Sequence, residues 1–199
     1  MQKRICVFCA SSNRIAPQYV EAAAQFARLA VHEGYTMVCG GTSKGLMRVL
    51  IGAVIDAGGV VEGVVPAFMY HYGWADEHLT HITVVETMRE RKHLMIKDAD
   101  AVVALPGAIG TLEELTEVIS LKRLGLFYKP IIIFNSHGYY DLLLRFFDHM
   151  VSEKMMGTDQ RNAWRVVNRV EDILPAIDTE PPWIPDIIHY HNSNEYGNE

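Results

Sequence analysis

The sequence predicts a doubly wound α/β fold, a parallel sheet with helices on both faces. Three observations carry this. Short apolar runs recur at 5–9, 37–39, 60–65, 82–85, 101–105 and 131–134. Most are continuous rather than alternating, as in strands buried on both faces. Segments with helical spacing lie between them, and strand–helix–strand alternation with right-handed crossovers builds this architecture.

The elements follow in order. A basic start runs into the first apolar stretch, which is too short for a leader and reads as the first strand. The segment 17–33 places Val20, Ala23, Ala24, Ala27, Leu29, Ala30 and Val31 at helical spacing, with Pro17 near its start and Gly34 just past its end. Further helices are expected at 46–57, 86–97, 112–124 and 139–154. Neither an internal repeat nor an interdomain linker interrupts the pattern, so 1–175 reads as one domain. After Pro175 the composition shifts to Pro, Asn, Asp and His, and 176–199 is expected as a tail, partly disordered or lying on a dimer surface. The run at 181–185, Pro-Pro-Trp-Ile-Pro, would lie along the surface or across a partner.

The totals bound the function. The chain has 199 residues, 49% hydrophobic and 21% charged, which suits one domain with a sizeable core. A net charge of −6 argues against broad nucleic-acid binding, which needs a basic surface. A small phosphate ligand needs only local donors. Three cysteines (Cys6, Cys9 and Cys39) and no leader point to a reducing cytoplasm. No apolar run reaches about 18 residues, so no membrane span is expected. Cys6 and Cys9 form a Cys-x-x-Cys, but residues three apart on a strand face opposite ways, so neither a redox pair nor a metal site is expected.

In such folds the ligand sits at the carboxyl ends of the strands. The strongest motif there is Leu105-Pro106-Gly107-Ala108-Ile109-Gly110-Thr111-Leu112-Glu113-Glu114, between a strand and a helix. Glycines let the backbone turn sharply, and the free amides at a helix start attract an anion. The bland alternative for Glu114 is a capping box with Thr111. A second turn, Val38 to Met47, contains Gly40, Gly41, Thr42, Ser43 and Lys44, which offer phosphate donors but fit neither the dinucleotide nor the P-loop spacing. A third motif is Met88-Arg89-Glu90-Arg91-Lys92. Met88, Arg91, Lys92 and Met95 share one helical face, and cations between methionines point inward toward anionic partners. Finally Phe68, Tyr70, Tyr72 and Trp74 form an aromatic loop that either covers a ring of the ligand or packs on a second subunit.

The paired motifs MRERK (88–92) and PGAIGTLEE (106–114), with the opening Cys-Val-Phe-Cys-Ala-Ser-Ser, resemble the Lonely Guy family of cytokinin riboside 5′-monophosphate phosphoribohydrolases, also labelled lysine decarboxylase-like. The resemblance runs from about residue 5 to about residue 154. It implies a Rossmann-like fold, a homodimer or larger assembly, and hydrolysis of the N-glycosidic bond of AMP or an N6-substituted relative to free base and ribose 5-phosphate. It implies Arg91 and Glu114 as the catalytic pair. Substrate binding would fall to Lys92, Met88, Gly107, Ala108, Ile109, Gly110, Thr111, Glu113 and Ser120, with Gly40, Gly41 and Thr42 from the second turn. Neither a metal nor an organic cofactor is required. A decarboxylase would need pyridoxal phosphate on a Schiff-base lysine, for which no residue in these motifs is placed.

Three motifs depart from the family pattern. Ala108 stands where the family has Gly, and a Cβ there is costly if the site needs positive φ. Thr42 and Arg48 replace two glycines of the second turn, and Arg89 replaces a His. These departures leave open a binding-only reading, a nucleotide-binding or carrier protein on the same fold.

Overall fold

The computed structural model describes residues 3–184. Seven strands form one all-parallel sheet: β1 (Arg4–Phe8), β2 (Thr36–Cys39), β3 (Val61–Pro66), β4 (His81–Val85), β5 (Ala101–Ala104), β6 (Ile131–Phe134) and β7 (Arg165–Val167). Their order is β4-β3-β2-β1-β5-β6-β7. The helices are α1 (Pro17–His32), α2 (Gly45–Asp56), α3 (Ala67–His71), α4 (Met88–Lys97), α5 (Ile109–Arg123), α6 (Asp141–Ser152) and α7 (Ile173–Asp178).

Alternation along β1 explains why its sequence is continuously apolar. Ile5, Val7 and Cys9 pack in the layer of α1, α2 and α7, while Cys6 and Phe8 pack in the layer of α4, α5 and α6. Cys6 stands level with Val38 on one side and Val102 on the other, so the central strands are covered on both faces. The two halves of the Cys-x-x-Cys thus lie in opposite layers. All three thiols are free and buried. Burial pushes each of them up, Cys39 to about 11, which removes them as nucleophiles near neutral pH.

Several bounds differ from expectation for local reasons. Helix α4 begins at Met88 because Thr87 caps it. The Thr87 hydroxyl accepts from the Glu90 amide at 3.1 Å, and the Glu90 carboxylate accepts from the Thr87 amide at 3.1 Å. Helix α5 begins three residues early, at Ile109, with Ala108 as its N-cap. Thr111 therefore lies inside the helix and forms no capping box with Glu114. Helix α6 follows a 3₁₀ turn at Ser136–Gly138. The three-residue β7 and the short α3 are too brief for periodicity to signal. The residue-175 boundary falls within α7, whose Ala176 and Ile177 are buried in the core. Beyond it, the Trp183 indole N–H donates to the Lys122 carbonyl at 2.8 Å. Pro185 and the rest of the expected tail, 186–199, lie outside the described residues. Strand β4 forms one edge of the sheet, and its Ile82 and Val84 are exposed rather than buried. No helix among the described residues is long and apolar enough to cross a membrane.

Candidate active site

The chain reverses direction across the sheet between β1 and β5, which opens a crevice at their carboxyl ends. A cavity of about 450 Å³ lies there. The β1–α1 loop contributes Cys9, Ala10 and Ser11; the β2–α2 turn contributes Gly40, Thr42 and Lys44. Met69 and Trp74 come from α3 and the loop after it; Met88, Arg91 and Met95 come from α4. Ala108, Gly110, Thr111 and Glu114 come from the start of α5.

The two glycine-rich turns prove unequal. At α2 the helix start is already filled: the Gly45 amide donates to the Asn13 side chain at 3.0 Å, and the Leu46 amide donates to the Ala10 carbonyl at 2.9 Å. Gly45 has φ +59, and a Cβ there would meet the backbone of residues 10–12 at 2.6 Å. This glycine serves contact between loops, not a ligand. At α5 the first helical bond runs from the Leu112 amide to the Ala108 carbonyl, and no side chain caps the end. The amides of Ile109, Gly110 and Thr111 precede that bond, and a helix leaves such donors open to an anion. The carbonyls leading into this helix are tied back. Leu105 accepts from the Tyr140 hydroxyl at 2.7 Å, Pro106 from the Ala10 amide at 3.1 Å, and Gly107 from the Tyr139 hydroxyl at 2.8 Å.

Ala108 has φ −94 and ψ −155, an extended conformation open to any residue. The strain expected from a Cβ at this position does not arise. Gly107 makes room for the Thr111 side chain, whereas Gly110 has open space where a Cβ would project. Thr42 also has ordinary backbone and is buried, with its hydroxyl 3.4 Å from the Met47 sulfur.

Arg91 and Glu114 come together from separate helices. Arg91 Nη1 donates to Glu114 Oε1 at 3.1 Å, and its Nε donates to the Val64 carbonyl at 3.1 Å. Their side chains are 8% and 10% exposed, so this is a buried ion pair at the cavity floor. Gly40 makes the approach possible, since a Cβ there would collide with the Arg91 guanidinium. Burial pushes the Glu114 carboxyl up to about 7, against the opposing pull of Arg91. A carboxyl poised near neutrality can exchange a proton at working pH.

The other sequence candidates are distributed differently. Gly40, Thr42, Met88, Ala108, Gly110 and Thr111 line the cavity with the pair. Lys92 does not line the cavity; its mostly covered side chain bridges α4 to α5 in ion pairs with Glu113 and Glu117. Ile109 is 79% exposed, and the Ser120 hydroxyl donates to the Thr116 carbonyl at 2.8 Å. Gly41 packs against Gly63, Val65 and Leu79. Sequence reasoning overlooked Ser11 and Met69. Only their position at the ends of β1 and β3 could have singled them out.

A family profile described as "Possible lysine decarboxylase" matches residues 47–177. The chain is 40% identical over 183 residues to a cytokinin riboside 5′-monophosphate phosphoribohydrolase of Arabidopsis thaliana, covering 88% of this chain and 84% of that protein. It is 37% identical over 194 residues to the enzyme of that name from Oryza sativa subsp. japonica, covering 94% and 80%. Among solved structures, the molybdenum cofactor carrier protein of Chlamydomonas reinhardtii superposes with a TM-score of 0.69 at 17% identity, over 89% of this chain and 97% of that one. That likeness is one of fold.

Proposed function

Since this chain belongs to the family of the cytokinin riboside 5′-monophosphate phosphoribohydrolases, we propose that it hydrolyses the N-glycosidic bond of AMP or an N6-substituted AMP, releasing free base and ribose 5-phosphate. The observation that carries this reading is the buried Arg91–Glu114 pair, set beside the uncapped start of α5. The substrate phosphate binds the amides of Ile109, Gly110 and Thr111. Breaking the bond develops positive charge on the sugar, in an oxocarbenium-like state. The Glu114 carboxylate stabilises that charge and orients a water for attack on the anomeric carbon. Arg91 holds Glu114 in place and favours its ionised form.

The protein acts as a homodimer. Ile82 and Val84 of β4, and Leu124 and Leu126 beyond α5, leave apolar surface uncovered. Lys92, Glu113 and Ser120 stand outside the cavity, and in this reading they reach substrate only where a second copy brings its own cavity beside them. Buried free thiols are in keeping with a cytoplasmic setting.

Incubation of the pure protein with AMP, followed by chromatography for adenine, tests the activity. Free adenine in stoichiometric amounts with ribose 5-phosphate is the expected result. Binding of AMP without release of base from any monophosphate would make the protein a nucleotide carrier instead.

A further inference from the structure

The outer face of α2 takes no part in the chemistry above. Arg48, which replaces a glycine of the family pattern, lies in the first turn of this helix, and Asp56 is its last residue. Both charges oppose the helix dipole, which favours anions at the start and cations at the end. Both residues are exposed, and among the described residues neither enters an ion pair. Halfway between them stands Gly52. Glycine weakens a helix interior. Nothing lies within 4 Å of the point where its Cβ would project, so packing inside the chain does not require it. It borders a surface groove of about 400 Å³ between α1 and α2, which Arg28 enters from α1 as a second cation for an incoming acid.

These oddities form one pattern. Arg48, Gly52 and Asp56 follow at i, i+4 and i+8, which sets them in one row along the helix. Val49 and Ile55 flank the glycine, three residues before and three after, and Ile55 is 37% exposed. The row is balanced about Gly52. When two such helices cross antiparallel at their glycines, Arg48 faces Asp56 of the second copy and Val49 faces its Ile55. Two-fold symmetry makes each contact twice. The glycines let the two backbones approach closely. Each charge that its own helix disfavours thereby gains an opposite charge.

We propose that α2 is a self-complementary docking surface, through which a second copy of this chain pairs antiparallel across Gly52. The inference is independent of the hydrolase reading. Helix α2 packs in the layer with α1 and α7, on the other face of the sheet from α4 and α5. This contact is therefore separate from one that brings a second cavity beside Lys92 and Glu113. Two different two-fold contacts carry the assembly beyond a dimer.

Sedimentation of the full chain tests this, read up to about 500 µM because contacts of one helix are weak. Arg48→Asp and Asp56→Arg each turn both ion pairs into like-charge contacts. Each alone should raise the dissociation constant of the α2 contact by roughly 10- to 100-fold. The double variant restores opposite charges and should recover association. An equimolar mixture of the two single variants should also associate, since one carries two acids at the contact and the other two bases. Each substitution suits the helix dipole, so thermal melts at low concentration should not fall. Gly52→Leu, which has room within the chain, should block the contact as well.

Single variants that sediment like the parent overturn the proposal. So does a mixture that fails to associate, because complementary charge then does not hold the contact. Parent dimers that fall to monomers in Arg48→Asp and re-form in the mixture uphold the α2 contact and refute the separate contact beside Lys92. Charge-dependent assembly in a protein that releases no adenine sinks the hydrolase reading and leaves the α2 contact standing.

Discussion

At the scale of single residues, the proposed reaction puts both chemistry and pH dependence on Glu114. Its carboxyl titrates near 7 in the folded chain against 4.5 ordinarily. Below about 4.5 it is protonated in both states and nothing is lost. As pH rises toward 7 the unfolded chain ionises more readily than the folded one, so stability falls across that window and levels off above it. The loss is on the order of 3 kcal/mol. Thermal melts of the parent should fall between pH 4.5 and 7 more steeply than those of Glu114→Gln, which lacks the group. Activity runs the other way: kcat/KM for AMP should rise through an apparent pKa near 7, because the ionised form acts. Glu114→Gln should lower kcat by about 10²- to 10⁴-fold. Arg91→Met removes the charge that favours ionisation, so the rising limb should move above 7 in a pH–rate profile. Gly40→Ala should have a related effect without touching either partner, since its Cβ displaces the guanidinium.

At the scale of elements, the open start of α5 depends on the turn before it. The hydroxyls of Tyr139 and Tyr140 each satisfy a carbonyl of that turn. Tyr140 is 2% exposed, so Tyr140→Phe leaves the buried Leu105 carbonyl unpaired and should cost about 1–3 kcal/mol in denaturant unfolding. Tyr139→Phe touches a more open bond and should cost less, while raising KM through the displaced Gly107. At α4 the Thr87–Glu90 capping box positions the helix that carries Arg91. Thr87→Ala should lower stability by about 1 kcal/mol, read from the same unfolding curves. The two glycine-rich turns look alike in sequence, yet the β1–α1 loop occupies one helix start and leaves the other open. Their difference lies in Asn13 and Ala10, contributed by a distant part of the chain.

At the scale of the whole molecule, edge strand β4 leaves Ile82 39% and Val84 45% exposed, whereas the central strands are covered on both faces. If the proposed homodimer forms through this edge, replacing both with Glu should shift sedimentation to the monomer; a contact through the exposed residues around Leu126 predicts no change. The segment after residue 178 tells a related story. Lys122 is 1% exposed, close to Glu180 and beneath the Trp183 ring, and burial lowers its pKa. Trp183→Ala uncovers that lysine, so a loss of stability in thermal melts with unchanged kcat is the expected outcome.

The sheet and the helices on both its faces were legible in the residue pattern, because doubly buried strands are continuously apolar and helix faces repeat at fixed spacing. Arg91 was legible as a cation on an inward face, whereas Glu114 equally fitted a capping box with Thr111, and only the family resemblance joined the two as a pair. Local spacing could not say that Thr111 makes no capping box with Glu114, that Gly40 clears a path for a guanidinium, or that the anionic partners of Lys92 are Glu113 and Glu117. Those outcomes depend on atoms from segments far apart in the chain, and only packing brings them within reach. Periodicity decided which way each element faces; the tertiary structure decided which backbone amides stayed free, since a hydrogen bond to a distant loop leaves no trace in the sequence around it.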